Sequence, residues 1–394
     1  MNTFGNSWKE VNEGKTKFMI FQDAERIYDA SVFYNPKMTI NRDLTLLFLS
    51  AITEDSKHPL TILDPLAGTG VRSFRILVEL PSEKINKIIM GDKNPKAVEI
   101  IQRNIVELDL DKRSIIRKSD AYDTINNLIV EKEKIDVIDI DPFGSPISFL
   151  EVSIRALKKS KGYLLITATD LQVLCGKYSE ACMRIYNAIP TRYFLCHEVA
   201  LRILIYNLLI SAGRLGVAIE PMFCFHHEHF LRVKVKILES KEKANEQHKK
   251  IGFVYFCSEC SYYKTQKIDE DQISHHCPIC MKKLEKAGPV WLGKLYNKKI
   301  IHKMFEVSDK LELPTKKQIN KILAQLTQEY DFQAFFYFIP FVLRLLQKDG
   351  VSIKQIIDEL TSKNFQASRT IFDPEGIKTD ASYPELVDVI KNIK

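Results

Sequence analysis

No run of apolar residues in this chain approaches the roughly 20 needed to cross a bilayer, so no membrane span is expected. The first residues, 1–13, lack the positively charged start, apolar stretch and small-residue cleavage site of a secretory leader. The expectation is an intracellular, cytoplasmic protein, or a nuclear one in a eukaryote, with no obligate protein partner. There is no internal repeat, and the G-x-G-x-x-G of dinucleotide binding is missing. Nor do the eight cysteines read as a disulfide scaffold. Cys175, Cys182, Cys196 and Cys224 stand singly in apolar segments, as reduced core residues do. The other four form two C-x-x-C pairs, a pattern that points to metal in a reducing compartment.

What is present is length and a basic balance. A chain of 394 residues exceeds what one hydrophobic core usually holds, which predicts two domains. The net charge of +7 and pI near 8.8 favour anionic partners without naming one.

From residue 60 to 162, short β-rich apolar runs alternate with helical stretches, the signature of a doubly wound parallel sheet. Strands are expected at 60–64, 87–92, 114–118 and 135–140, with a further one at 163–168 and a later half-wet strand at 230–238. Helical spacing at Val71, Phe74, Leu77 and Val78 follows the first strand, and a second helix is read at 94–108, with Pro95 in its first turn. A polar run beginning at Glu239 sets the domain boundary, giving a first domain of 1–238 and a second of 239–394. Helices at 316–326 and 353–360 belong to the second.

The strand ends carry the chemistry. Asp64-Pro-Leu-Ala-Gly-Thr-Gly-Val-Arg72 puts Gly68 and Gly70 between strand and helix, where the backbone turns sharply and a ligand can approach closely. A nucleotide-like cofactor suits such a loop; so does a plain turn with a helix cap. Asp92 ends the next strand, where an acidic residue can accept both hydroxyls of a ribose. Asp120 ends the third and suits an adenine amino group. Each alone reads equally as a helix cap, but three in succession favour a ligand. The fourth strand runs into Asp141-Pro-Phe-Gly-Ser-Pro146, which looks like a variant of the Asp/Asn-Pro-Pro-aromatic motif of amino-group methyltransferases. An exocyclic amine has its lone pair delocalised into the base. A carboxylate accepting its N–H localises that pair for attack on a sulfonium methyl, which is the role read for Asp141, with Phe143 stacking on the base.

Together with Val32-Phe-Tyr-Asn-Pro36, Asn41-Arg-Asp43, His197-Glu-Val-Ala-Leu-Arg-Ile-Leu204 and Gly376-Ile-Lys-Thr-Asp-Ala381, these segments resemble the tRNA guanine-N2 dimethyltransferase family, which acts on the guanine at position 26. The resemblance implies a class I S-adenosylmethionine-dependent methyltransferase domain of Rossmann-like α/β type, followed by an α+β C-terminal domain that binds tRNA. It implies cofactor contacts from Arg42, Arg72, Asp92, Asp120 and Ala121, alongside the Asp64, Gly68 and Gly70 of the loop. It also implies Asp141 as the catalytic carboxylate, with Phe33 and Phe143 sandwiching the guanine. The chain departs from the family pattern at Ser368-Arg-Thr-Ile-Phe372, where a histidine usually stands in place of Ile371. The stretch Phe225-His-His-Glu-His-Phe230 is read as polar surface or RNA contact rather than metal site.

Cys257-x-x-Cys260 and Cys277-x-x-Cys280, with 16 residues between the pairs, predict a four-thiolate structural zinc site in a ribbon at 253–284. Residues 239–303 hold 13 Lys or Arg against 8 Asp or Glu, with Tyr255, Tyr262, Tyr263 and Trp291 interleaved, which suits phosphate contact and base stacking. Two other readings stay open on the residues alone: amino methylation of adenine or cytosine in DNA or ribosomal RNA, and a non-catalytic zinc-ribbon RNA-binding protein.

Overall fold

The computed structural model describes residues 7–24, 29–54, 56, 58–159, 161–270 and 274–393. The domain ends expected at 1 and 394, the first six residues of the segment 1–13, and residues 271–273 of the expected ribbon lie outside the described residues.

The centre is a seven-stranded sheet in the order β5-β4-β3-β6-β7-β9-β8. The five strands β3 (Leu60–Asp64), β4 (Ile85–Gly91), β5 (Ser114–Arg117), β6 (Val137–Ile140) and β7 (Tyr163–Ala168) run parallel. β3 and β6 are buried throughout because helices cover both faces, which is why they read as unbroken apolar runs rather than alternating ones. β9 (Phe230–Leu238) joins β7 antiparallel, and β8 (Ala218–His227) closes the far edge.

Helices α2 (Val71–Glu79), α3 (Pro95–Glu107), α4 (Ala121–Val130) and α5 (Leu150–Ala156) connect the parallel strands. Before them come a hairpin, β1 (Ser7–Glu13) with β2 (Thr16–Gln22), and a buried helix α1 (Thr39–Thr53). The hairpin turns at Gly14, whose φ of 62° and closeness to Arg75 and Glu79, 2.7 Å from where a Cβ would stand, favour glycine. Short helices α6 (Leu171–Leu174) and α7 (Ser179–Tyr186) lead to α8 (Cys196–Arg214). By length and composition alone α8 could cross a membrane, but 61% of its most apolar 18-residue window is buried inside the fold, and it packs on β12 and β8 as a core helix.

After α9 (Lys241–His248) comes a three-stranded sheet of β10 (Ile251–Phe256), β11 (Tyr263–Lys267) and β12 (Glu285–Trp291). Helices α10 (Lys298–Val307) and α11 (Lys316–Glu329) follow, with α10 lying on α1. A small sheet of β13 (Tyr337–Phe338), β14 (Ala367–Arg369) and β15 (Gly376–Thr379), with α12 (Ile339–Leu346), α13 (Ile353–Ser362) and α14 (Tyr383–Asn392), completes the chain.

One hydrophobic cluster runs from Phe18 to Phe372, passing across residue 238. A second gathers the cysteine pairs against the last helices. Buried polar ties reinforce the join: Asp43 on α1 accepts from the Thr315 N–H at 2.8 Å and its hydroxyl at 2.5 Å, and Glu198 on α8 pairs with Arg202 and with Lys378, at 2.8 and 3.2 Å.

Candidate active site and four-sulfur cluster

The sheet reverses its winding between β3 and β6, the place where open α/β sheets bind ligands at their carboxyl ends. A cavity of about 900 Å³ lies there. Phe33, Arg42, Asp64, Gly68, Arg72, Asp92, Asp120, Ala121, Asp141 and Phe143 all line it. Gly70 stands one step behind the wall: its φ of 79° starts α2, and a Cβ there would come within 2.5 Å of Phe74.

Asp92 shapes the glycine loop. Its carboxylate accepts the N–H of Gly68 at 2.9 Å and that of Asn94 at 2.8 Å, so it fixes both the first loop and the start of α3. Asp120 is exposed and caps α4 through the Tyr122 N–H at 2.8 Å, doing a cap's work while still bordering the cavity. Asp64 lies deeper and accepts the Ser73 hydroxyl at 3.0 Å. Burial pushes its carboxyl up to about 7, with Arg72 opposing and Asp139 adding to the rise.

The two arginines expected on a cofactor are held by the protein itself. The Arg42 guanidinium grips Glu13 with both prongs, at 2.6 and 2.5 Å. Arg72 donates to Asp141, to Asn41 at 3.4 Å and to Thr45 at 3.3 Å, and lies 3.4 Å from Asp139. The Asn-Arg-Asp segment is thus a buried polar hub, with Asn41 on Arg72, Arg42 on Glu13, and Asp43 on Arg75 at 2.6 Å.

Behind Asp141 the charges continue inward. Arg232 donates to Asp139 at 2.8 and 2.5 Å and to Thr167 and Thr45 at 2.8 and 3.1 Å. Burial works against the Asp139 carboxylate, but Arg232 and Arg72 hold it below its ordinary range. Lys234 is also fully buried, donating to the Leu44 carbonyl over the rings of Phe48 and Phe223; burial and Arg232 drive its amine well below the usual lysine value. Sequence reasoning missed Arg232 and Lys234 because they sit in a strand expected to be wet on one face.

Asp141 ends β6 at the cavity rim. Arg72 occupies its Oδ2; among the described residues no hydrogen bond reaches Oδ1. The following turn is braced by Thr169, whose hydroxyl accepts the Gly144 N–H at 2.7 Å and whose own N–H donates to the Gly144 carbonyl at 3.1 Å. Phe143 projects from that turn, 78% exposed, edge-on to Phe33 with ring centroids 5.0 Å apart. The two rings touch one another, so a base entering between them has to part them. Glu228, His229 and Phe230 form another stretch of the wall, which places part of the histidine-rich segment at the cavity.

The second cluster joins Cys257, Cys260, Cys277 and Cys280, whose sulfurs lie within 4.8 Å of one another. Separations of 3.4, 3.5 and 3.8 Å lie at or just below the ~3.8 Å between thiolates around a tetrahedral ion with metal–sulfur bonds of ~2.3 Å. Each C-x-x-C is the same knuckle: Cys257 N–H donates to Tyr262 O and Cys277 N–H to Lys282 O, both at 2.8 Å, and Ser261 and Met281 take matching φ values of 67° and 60°. The aromatics expected to stack on bases here are otherwise engaged. Tyr255 and Trp291 are buried in the core, Tyr262 packs on Tyr383, and Tyr263 packs on Tyr337.

A sheet of this order, with carboxylates at successive strand ends and an Asp-Pro-Phe-Gly turn at its reversal, defines a class I S-adenosylmethionine-dependent methyltransferase built to act on an amino group. The sequence matches the N2,N2-dimethylguanosine tRNA methyltransferase family over residues 13–391, and the chain belongs to that family. It is 36% identical to the tRNA (guanine(26)-N(2))-dimethyltransferase of Pyrococcus abyssi, covering 98% of this chain and 99% of that one, and 32% identical to that of Methanobrevibacter smithii, covering 98% and 97%. Trm1 from Pyrococcus horikoshii, solved in complex with S-adenosyl-L-methionine, superposes with a TM-score of 0.84 at 32% identity, over 97% of this chain and 99% of that one.

Proposed function

We propose that this chain is a tRNA (guanine-26-N2)-dimethyltransferase that draws its methyl groups from S-adenosylmethionine. The observation that carries the reading is Asp141 at the cavity rim, with one carboxylate oxygen pinned by Arg72 and the other without a donor among the described residues. The cavity has the size of a cofactor site, and its polar groups suit this one. Asp92 is assigned to the ribose hydroxyls and Asp120 to the adenine amino group. Ala121 and the loop of Asp64, Gly68 and Gly70 border the nucleoside, with Arg42 and Arg72 alongside. When bound, the cofactor supplies an electrophilic methyl on a sulfonium.

The protein's share is placement. Asp141 Oδ1 accepts a guanine N2–H and turns the amine lone pair toward the methyl, while Phe33 and Phe143 hold the ring once parted. Placing the partners in line supplies much of the acceleration. After one transfer a single N–H remains, and Asp141 alone orients the second attack. The N–H proton is released after the new N–C bond forms and passes to Asp141 Oδ1 or to water, so the work of Asp141 is chiefly orientation, and pairing of its other oxygen with Arg72 does not disable it.

Residues 239–394 are assigned to the tRNA body, their lysines to phosphates, and the four sulfurs to structural zinc, which would close its coordination shell and brace the ribbon without chemistry. The setting is the cytoplasm, where the transfer RNA substrate is found. The test is nucleoside analysis of transcripts incubated with purified protein and cofactor. Dimethylated guanine should appear with a guanine at position 26 and vanish when that base is adenine. Guanine left unmethylated, or methylation indifferent to that base, overturns the reading.

A further inference from the structure

Of the four cysteines read as isolated core residues, only two are. Cys182 and Cys224 are fully buried among apolar side chains, whereas Cys175 and Cys196 are half-buried and come together. Cys175 ends α6 and Cys196 begins α8. With His197, the next residue, their two sulfurs and an imidazole nitrogen lie within 4.8 Å of one another. The imidazole is held in place by its neighbours. The ring of His226, from β8, stacks on His197 at 3.8 Å and 14° between planes, and His226 Nε2 is buried without a hydrogen-bond partner among the described residues. Two sulfurs and a nitrogen converging at a half-exposed spot are the donor set of a borderline-soft ion.

We propose that Cys175, Cys196 and His197 form a second metal site, one that takes zinc and leaves its fourth coordination position open. The site differs in kind from the four-cysteine cluster. Four thiolates complete a tetrahedron, whereas three protein ligands admit water or another small donor. Its place gives it a mechanical role. α6 follows directly on Thr169, the residue that braces the Asp-Pro-Phe-Gly turn through Gly144, so an ion at Cys175 would clamp the far end of that brace to the start of α8. The end of α6 and the start of α8 would meet at one point, with His226 of β8 stacked against it.

The test is metal content of the full-length protein, reduced, equilibrated with zinc and freed of loosely held ion. Wild type should carry two zinc ions per chain, and Cys196→Ser and Cys257→Ser one each, with the doubly substituted chain carrying none. Cobalt(II) in place of zinc should add, for this site, a thiolate charge-transfer band that Cys196→Ser removes and Cys257→Ser leaves. One zinc per wild-type chain, unaltered by Cys196→Ser, overturns the proposal, as does a Cys175–Cys196 disulfide that persists under reduction. Should the serine variants fail to fold, the wild-type count of two against one decides the matter.

Discussion

Arg232 on β9 and Asp139 on β6 form a two-pronged ion pair, at 2.8 and 2.5 Å, in the middle of the sheet with neither side chain exposed. Buried pairs of this kind rarely add net stability over apolar residues of the same volume, but breaking one strands a charge, at a cost of about 3–5 kcal/mol. Arg232→Met should therefore lower unfolding free energy by that order in urea titrations. Adding Asp139→Asn should restore a large part of it. A double variant no more stable than Arg232→Met would show that the pair does not act as a unit.

Asp141→Ala should cut methyl transfer on the order of a thousand-fold, the scale of losing one oriented group at a reacting centre. Affinity for S-adenosylmethionine, measured by calorimetry, should stay close to wild type, because the role proposed for Asp141 is toward the amine. A parallel loss of cofactor binding would reassign the residue.

Glu13 predicts an acid limb to stability. Burial alone would raise its carboxyl, but Arg42 and Arg75 hold it down at about 2, against 4.5 for a free glutamate. A folded value below the unfolded one gives stability that is fully present above pH 4.5 and lost as pH falls toward 2. The shift corresponds to roughly 3 kcal/mol. Urea midpoints of Glu13→Gln should be less sensitive to pH over that window than those of wild type.

Asp64 works in the opposite sense. Its folded value near 7 lies above the free 3.8, so its contribution is full in acid below about 4 and is lost as pH rises through 7. Ionisation also places a competing carboxylate beside Arg72. The pH profile of kcat should bend near 7 in wild type, and the bend should be absent in Asp64→Asn. Superimposable profiles would remove Asp64 from the account.

Cys257→Ser, or a strong chelator, should lower the melting temperature and tRNA affinity while cofactor affinity holds. Unchanged metal content in this variant would rule out the four-thiolate zinc.

Much of this was legible from residues 60–168 because parallel strands buried on both faces announce themselves as apolar runs, and because Asp64, Asp92, Asp120 and Asp141 fall at their ends. The knuckles were legible from spacing alone. β8 was not: Pro221 and the register shift beside it interrupt any alternation, as an edge strand tolerates. Arg232 and Lys234 escaped because charge in a strand ordinarily means a wet face, and only the packed sheet shows both faces closed. Cys175 and Cys196 lie 21 positions apart, and no local pattern says that two helix ends will bring them together.

The apolar cluster that runs from Phe18 to Phe372, tied across by Asp43 and Thr315, packs the segments on either side of residue 238 into one body, and the second cluster holds the sulfur tetrad against the last helices. If residues 239–394 seat the tRNA body as proposed, an enzyme so built works as a calliper. A stiff, folded polynucleotide that seats one landmark on the distal jaw offers the proximal jaw whichever nucleotide lies at the matching span, and its neighbours fall short or overshoot. On that reading selection depends on measurement as well as on the base itself, and the tolerance of the gauge is set by how little the packed join between its jaws can give.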